Sequence, residues 1–282
     1  MINMAKRKNR WTEEKIARYL KEGRGQGELS EYIPWLNVQD FSSNGNVTRI
    51  KGWKTTRQHE FFSNLERSYF FLLDWSDNVV DIREQFPIDR ELTFKIAEEK
   101  GIRHSIDNSS NTIIPMTTDF LITIIRNEER VYLARTVKPS KDLDETRIIE
   151  KFEIEREYWE KKGIDWGIVT EQELPEGFVK NIQWVHKFHS LDSKEDELLA
   201  LELLKILKAN ENSQNLKIIN FCNRLDDDYK LEVGTALTYV KHLIARKLII
   251  INMMDKLDIR KIKISEITIN DTGGEKFDYI SS

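Results

Sequence analysis

Residues 117–139 have the sequence TTDFLITIIRNEERVYLARTVKP, in which two apolar, β-branched runs lie on either side of a charged segment. The runs 118–125 and 131–138 have the composition of β-strands, and the charged segment 126–130 has that of a turn. Pro139 closes the second run, because proline cannot donate to a strand ladder. The pattern therefore predicts a β-hairpin.

The segments on both sides of this hairpin predict further elements of one core. Apolar residues at helical spacing predict a helix over 59–74, and a run rich in valine and isoleucine predicts a strand over 78–86. After the hairpin, an amphipathic helix is predicted over 143–162 and a short strand over 165–170. The order helix, strand, hairpin, helix, strand predicts an α/β core with a mixed sheet.

The N-terminal segment is predicted to form a helix that starts after Trp11 and ends in a glycine-rich loop, GRGQG at 23–27. Three alternate glycines predict a flexible loop that a backbone or a phosphate can approach closely. The loop lacks a strand before it and a helix after it, and no Lys-Ser/Thr pair follows the glycines, so it is not a P-loop.

The character of the chain changes after about residue 190, and a second domain is predicted there. The domain boundary is placed near 175–191, where Pro175 and Gly177 punctuate the chain, giving domains 1–175 and 176–282. The predicted elements are helices over 193–209, 214–225 and 231–246 and strands over 248–253 and 259–264. Three helices and a two-stranded wing indicate a winged-helix-like domain.

Composition limits the classes of function. The chain has 282 residues, a net charge of -4 and a single cysteine, which excludes an internal disulfide and a cysteine-rich zinc site. No apolar run is long enough for a membrane helix, and the N-terminus does not resemble a signal peptide, so a cytoplasmic protein is expected. A basic segment near the N-terminus is a candidate phosphate-contacting arm, with Lys6, Arg7, Lys8, Arg10 and Arg24 as candidate DNA-binding residues.

Three residues on successive elements form a candidate catalytic constellation. Glu66 lies on the predicted helix 59–74, Asp119 near the start of the first hairpin strand, and Lys138 at the end of the second. An acid, an acid and a lysine in this order are the parts of a PD-(D/E)-x-K nuclease site. Carboxylates suit Mg²⁺, which lowers the pKa of its bound water, and a lysine stabilises the developing charge.

The constellation departs from the motif at one position. The residue two before the lysine is expected to be Asp, Glu or Gln, and here it is Thr136. Threonine offers one hydroxyl, and the backbone carbonyl of Val137 remains a candidate metal ligand. The pattern is compatible with a metal site on Glu66, Asp119 and that carbonyl, and equally with weakened metal binding or a changed activity.

Several segments in order resemble the TnsA family, the endonuclease subunits of heteromeric bacterial transposases. The matching segments are KEGRGQG (21–27), YIPWLNVQ (32–39), SNLERSYFFLLDW (63–75), DIREQFP (81–87), TTDF (117–120), VKP (137–139) and EIEREYW (153–159). The resemblance implies a restriction-endonuclease-like N-terminal domain and a winged-helix-like C-terminal domain. It also implies cleavage of the 5′ ends of a transposon with Mg²⁺, for which Mn²⁺ is expected to substitute, beside a TnsB-like transposase and a TnsC-like ATP-using regulator.

The resemblance also assigns roles to individual residues. Glu66 and Asp119 resemble the metal-binding catalytic acids, and Lys138 resembles the catalytic lysine. Glu155 resembles a further acid of the active-site region. The family commonly has glutamine where this chain has Thr136. Gln85 is a further candidate neighbour of the site, although a strand-end amide that satisfies backbone groups is the preferred interpretation.

Other side chains are interpreted as structural or as partner-facing. His186 and His189 are expected to be surface histidines, His59 is isolated in the sequence, and Trp35 is expected to be a core residue rather than a DNA-stacking one. On the last predicted helix the expected outward residues are Thr238, Lys241, His242 and Arg246. Acidic residues around 191–232 disfavour DNA and favour docking of a protein partner.

Two alternative functions remain open at this point. One is a non-catalytic assembly module that bridges transposase, regulator and DNA, in which Thr136 marks a decayed metal site. The other is a free-standing restriction or repair nuclease on the same fold. Metal binding at Glu66 and Asp119 distinguishes the transposon endonuclease from the assembly module. Dependence on a partner protein distinguishes it from the free-standing nuclease.

Overall fold

The structure is a computed structural model that describes residues 10–40 and 48–270. Of the candidate DNA-binding residues, Lys6, Arg7 and Lys8 lie outside the described residues. The chain divides into two compact units, and the division falls between Leu174 and Pro175. No helix in these described ranges is both long enough and apolar enough to cross a membrane.

The N-terminal unit contains four helices and eight strands among its described residues. They are α1 (Glu13–Lys21), β1 (Thr48–Lys51), β2 (Gln58–Phe61), α2 (Asn64–Trp75), β3 (Val79–Pro87), α3 (Arg90–Glu99), β4 (Ile106–Asp107), β5 (Thr112–Ile113), β6 (Thr117–Arg126), β7 (Glu129–Val137), α4 (Thr146–Lys161) and β8 (Asp165–Val169). The mixed α/β core expected from the sequence is confirmed.

The central sheet has four strands in the order β3-β6-β7-β8. The pairs β3-β6 and β6-β7 are antiparallel, and β7-β8 is parallel. The predicted hairpin is therefore the β6-β7 pair. Asn127 and Glu128 form its two-residue turn, both with positive φ, which matches the right-handed twist of the strands.

Helix α4 covers the sheet as the crossover between the parallel strands β7 and β8. Its residues Ile154, Tyr158 and Trp159 pack in one apolar cluster with Leu121 of β6 and Ala134 of β7. A crossover between parallel strands must return along the sheet, so α4 runs antiparallel to β7. The N-terminal end of α4 consequently lies on the side of the sheet where β7 ends.

The helix predicted over 59–74 begins later than expected. Residues 58–61 form strand β2, in which His59 and Phe61 are buried while Gln58 is exposed. The helix α2 begins at Asn64 because Ser63 caps it, accepting the amide hydrogen of Glu66 at 3.1 Å. The apolar residues before Ser63 therefore alternate as in a strand.

The glycine-rich segment is a closely packed turn rather than the flexible loop expected from composition. Gly23, Gly25 and Gly27 all have positive φ, between 75° and 88°. A Cβ atom at Gly25 would lie 2.2 Å from Cγ of Pro87, at the end of β3. Glycine is therefore required here by backbone conformation and by close packing.

The C-terminal unit is mainly helical. Its elements are α5 (Glu176–His186), α6 (Lys194–Ala209), α7 (Ile218–Asp228), α8 (Thr235–Ala245), β9 (Ile249–Ile250) and β10 (Thr268–Ile269). Helix α5 lies within the range 175–191 in which the domain boundary was placed; Pro175 stands at its N-cap, a place that tolerates proline. The prediction of a strand over 259–264 is wrong, since the partner of β9 is β10.

Several side chains in this unit are placed differently from the sequence expectation. His186 is buried, not a surface residue. His242 is buried too, with Nδ1 at 2.9 Å from the carbonyl oxygen of Phe188, so it does not point outward from α8. Cys222 is a buried core residue.

Candidate active site

Glu66 lies in the first turn of α2 and is nearly buried. Its backbone amide donates to Oγ of Ser63, and its Oε2 accepts from the backbone amide of Phe62 at 3.2 Å. These two bonds resemble a capping box, in which a carboxylate three residues into a helix returns to the chain before it. The local structure thus fixes the carboxylate of Glu66 at the helix N-terminus.

Asp119 lies near the start of β6, where both of its carboxylate oxygens are engaged. Oδ2 accepts the backbone amide of Val137 at 2.8 Å, and Oδ1 accepts Nε2 of Gln85 at 3.2 Å. Gln85 in turn accepts the hydroxyl of Thr117 at Oε1. The side chain of Asp119 therefore joins β6 to the end of β7 and to β3.

The carboxylates of Glu66 and Asp119 are close enough to perturb each other. Burial raises the pKa of Glu66, and the charge of Asp119 is the second cause of the rise. Burial also raises the pKa of Asp119, against the lowering effects of the Val137 amide, the Gln85 amide and the charge of Lys138. Two carboxyl groups whose ionised forms destabilise each other make a site that gains from a cation.

Lys138 follows β7 directly, and its backbone amide donates to the carbonyl oxygen of Val169. Its Nζ lies 3.9 Å from Oδ2 of Asp142, and its charge lowers the pKa of Asp119. The structure therefore brings Glu66, Asp119 and Lys138 together at the end of β7, although they are 72 residues apart in the chain.

Glu155 is buried beneath this site and is bound by two threonines. Its Oε1 accepts the hydroxyl of Thr118 at 2.7 Å and that of Thr136 at 2.5 Å. Each hydroxyl also accepts an indole N–H, from Trp159 at 2.7 Å and from Trp166 at 3.3 Å. Burial is the main cause that raises the pKa of Glu155 to about 7.

The hydroxyl of Thr136 is therefore bound to two neighbours. It donates its proton to Glu155 and accepts from Trp166 with one of its two lone pairs, so a cation would have only the remaining lone pair. The adjacent carbonyl of Val137 stays the candidate metal ligand from this part of β7. Thr118 and the two tryptophans were not candidate site residues, because nothing in the sequence shows that these side chains meet at Glu155.

Gln85 contacts the site more directly than the preferred sequence interpretation allowed. Its amide bonds the side chains of Asp119 and Thr117, not backbone groups. Its backbone has φ of 48°, uncommon for a residue other than glycine. This conformation lies between two paired positions of β3, Glu84 and Phe86, and could not be recognised from the sequence.

A buried ionic network next to Glu66 was also missed. Glu84 of β3 accepts two hydrogen bonds from Arg57 and lies 2.8 Å from Nδ1 of His59. Nε2 of His59 contacts the hydroxyl of Thr55 at 2.7 Å, which gives the order of a hydroxyl-histidine-acid triad. Thr55 and His59 are buried, however, so the network attaches the β1-β2 hairpin to the sheet and does not expose a nucleophile.

The basic candidates near the N-terminus differ in what surrounds them. Arg10 is exposed. Arg24 donates to Asp40 at 2.5 Å and to the carbonyl of Trp35, and its guanidinium stacks over the ring of Tyr19 at 3.6 Å. Arg24 thus has a structural role in the described residues. Trp35 is buried against Tyr19, as the core interpretation predicts.

No group of three or more His, Cys, Asp and Glu side chains is arranged to hold a metal ion within the ranges 10–40 and 48–270. A site with three or more ligands of that kind is therefore not found in these ranges. This leaves the two-carboxylate arrangement of Glu66 and Asp119, which suits an ion that keeps several waters.

Comparisons with known proteins point to a single family. A model described as "TnsA-like endonuclease N terminal" matches residues 76–171, and one described as "TnsA endonuclease C terminal" matches residues 173–253. The "Transposon Tn7 transposition protein TnsA" of Escherichia coli is 38% identical over 250 residues, which cover 89% of this chain and 90% of that protein.

Proposed function

The chain belongs to the TnsA family of transposition endonucleases, and from this premise we propose that it cuts the 5′ ends of a transposon in a metal-dependent reaction. The observation that supports the chemistry is the pairing of buried Glu66 and half-buried Asp119 beside Lys138. The alternative of a non-catalytic assembly module is not favoured by matches to endonuclease models.

The donor set fits Mg²⁺, with Mn²⁺ as a substitute. Mg²⁺ is commonly bound by one or two carboxylates and keeps several waters. Glu66, Asp119 and the Val137 carbonyl would hold it, and a cation there would favour the ionised forms of both acids, whose pKa burial raises. When bound, the ion would supply an activated water and charge stabilisation at the scissile phosphate.

The chain's own groups have separate roles in this proposal. Gln85 and the Val137 amide orient the carboxylate of Asp119. The Ser63 cap orients Glu66. The ammonium of Lys138 contributes positive charge where negative charge develops on the phosphate.

The C-terminal unit is proposed to be winged-helix-like and to dock a protein partner. Helices α6 to α8 followed by the short β9-β10 pair support this topology. The proposed partners are transposon-end DNA, a TnsB-like transposase that acts on the 3′ ends, and a TnsC-like ATP-using regulator.

Strand-specific cleavage of labelled transposon-end DNA, with the partner transposase and Mg²⁺ or Mn²⁺, tests this proposal. We expect 5′-strand cuts with the wild type, and none with Asp119→Ala or Lys138→Ala. Glu160→Gln, an exposed carboxylate of α4, is the matched control and should cut normally. Normal 3′ cuts without any 5′ cuts by the wild type would contradict the proposal.

A further inference from the structure

One face of helix α4 carries charged residues toward the candidate active site. Arg147, Lys151 and Glu155 are spaced by four residues and therefore lie on one face, a turn apart. Glu155, the last of them, is buried and contacts Thr136 of β7. Lys151 and Arg147 continue this line toward the N-terminus of the helix, where side chains are less buried.

The topology of the sheet places this line beside Lys138. Since α4 runs antiparallel to β7, moving back along the helix from Glu155 to Lys151 follows the same direction as moving from Thr136 to Lys138. Each displacement is short, about 6 Å along the helix and about 7 Å along the strand. The pKa of Lys151 is lowered, first by partial desolvation and then by the positive charges of Arg147 and Lys138, so these two cations lie near it.

Lys151 differs from the other cations of α4 in having no ion-pair partner among the described residues. Lys161 pairs with Glu157 at 2.9 Å, and Arg156 pairs with three glutamates. Arg147 pairs with Glu150, but both side chains are well exposed, so this contact is weak and exchangeable. Among the described residues Lys151 thus has no acidic partner of its own, whereas its neighbours Arg147 and Lys138 lie 2.8 Å and 3.9 Å from Glu150 and Asp142.

A cation in this setting gains from an anion that arrives from outside the chain. Like charges destabilise one another, and an anion between them reverses the sign of the interaction. Given the nuclease function proposed above, the anion available at this place is a phosphodiester of the DNA. We propose that Lys151, supported by Arg147, binds a backbone phosphate of the DNA neighbouring the bond that is cut.

This contact is a positioning contact and not part of the reacting groups. A phosphate bound at Lys151 fixes the register of the strand over Glu66 and Asp119, and carries no information on base sequence. Each lost phosphate contact lowers the slope of log Kd against log salt by about 0.9 on duplex DNA. The slope therefore separates this role from a loss of folding or of catalysis.

The experiment is a salt titration of DNA binding by the full chain without divalent metal, followed by fluorescence anisotropy of labelled transposon-end duplex. We expect Lys151→Gln to weaken binding about fivefold at low salt and to reduce the slope by about 0.9. Lys151→Arg should restore both. Lys161→Gln, a paired lysine at the other end of α4, is the matched control and should leave both unchanged.

A second measurement identifies the phosphate itself. Replacing single phosphates near the cut by neutral methylphosphonates should weaken wild-type binding at one position and leave Lys151→Gln unaffected at that position. If each methylphosphonate weakened binding of Lys151→Gln as much as it weakened binding of the wild type, the inference would be overturned. An unchanged slope, or a wild type that does not bind DNA, would also overturn it. Loss of partner assembly with unchanged DNA binding would overturn it in favour of an acidic protein ligand.

These outcomes are distinguishable from failure of the proposed function. Intact 5′ cleavage with an unchanged salt slope overturns only the role of Lys151. A reduced slope in Lys151→Gln, combined with a wild type that never cuts, supports the phosphate contact and refutes the nuclease.

Discussion

Replacing Glu155 by glutamine should make the stability of the protein less dependent on pH. Glu155 is buried, and the desolvation of its charge is the first cause that raises its pKa from 4.5 to about 7. Glutamine keeps an oxygen that accepts the hydroxyls of Thr118 and Thr136, but it has no charge to desolvate. The substitution therefore removes a titration and preserves most of the shape.

The sign and size of the effect follow from the pKa. A carboxyl group with a higher pKa in the folded chain binds its proton more tightly there, so ionising it lowers the free energy of unfolding. The loss begins as the pH rises above 4.5 and is complete above about 7. A shift of this size corresponds to about 3 kcal/mol, since each pKa unit is worth about 1.4 kcal/mol.

Urea unfolding of the wild type and of Glu155→Gln, over a series of pH values from about 5 to about 8, measures this difference. Tryptophan fluorescence is a suitable signal, because six of the seven tryptophans precede residue 175, in the N-terminal unit. As the pH rises over that range, the free energy of unfolding of the variant should increase relative to that of the wild type by up to about 3 kcal/mol. Glu160→Gln, on the exposed face of α4, is the control.

A difference that stays constant with pH would refute this reasoning. It would mean that the hydroxyls of Thr118 and Thr136 hold Glu155 ionised throughout, as charge-assisted hydrogen bonds can. If the variant had a lower free energy of unfolding than the wild type by the same amount at every pH, that loss would reflect an unsatisfied amide nitrogen in the place of Oε2 and not a titration.

Three further predictions concern single positions. Gly25→Ala should lower the free energy of unfolding by about 2 kcal/mol or more, measured by urea unfolding, because its φ is positive and Pro87 occupies the space of a Cβ. Ser63→Ala should cost about 1 kcal/mol in the same assay and reduce Mn²⁺ affinity in calorimetry, since the cap that orients Glu66 is lost; unchanged affinity would contradict the second part. Cys222 should not react with a thiol reagent in the folded protein, because burial raises its pKa to about 12, and should react once urea is added; rapid labelling without urea would contradict its burial.

The hairpin and the helix after it could be predicted because their patterns are local. The runs on either side of Asn127 and Glu128 carry a strand composition, and α4 carries a helical period that local propensity reinforces. The start of α2 was set too early because apolar residues continue across Ser63, where the alternation of β2 replaces the helical period. A short apolar run does not by itself distinguish the two.

The errors in the C-terminal unit have a similar origin. Pro175 and Gly177 were interpreted only as punctuation of the chain, yet proline suits the start of a helix and Gly177 is needed where a Cβ would meet the carbonyl of Met254 at 2.6 Å. The alternating run over 259–264 has a strand period but pairs only at Lys263, with Lys217. Tertiary pairing, which decides between these outcomes, is not present in a local pattern.

The three candidate catalytic residues could be predicted from the sequence, but the hydrogen bonds that orient their side chains could not. Glu66, Asp119 and Lys138 were identified by the elements that carry them. The bonds that orient them come from residues distant in sequence, such as Gln85, which lies 34 residues before Asp119. The role of Thr136 was left open because one hydroxyl can serve a metal or a neighbour, and only the position of Glu155 decides between them.

The bond from the Val137 amide to Asp119 has a consequence for how this hairpin tolerates change. The bond forms only when the register places Val137 one residue beyond the position opposite Asp119, so the acid itself stabilises the alignment of β6 and β7 at their site end. Deleting one residue within either strand would detach the acid and turn the following side chains to the other face. Asn127 and Glu128 lie at the far tip, so a peptide inserted between them would lengthen a surface loop and leave the acid in place, which makes this tip a suitable attachment point for an affinity tag or a fluorophore.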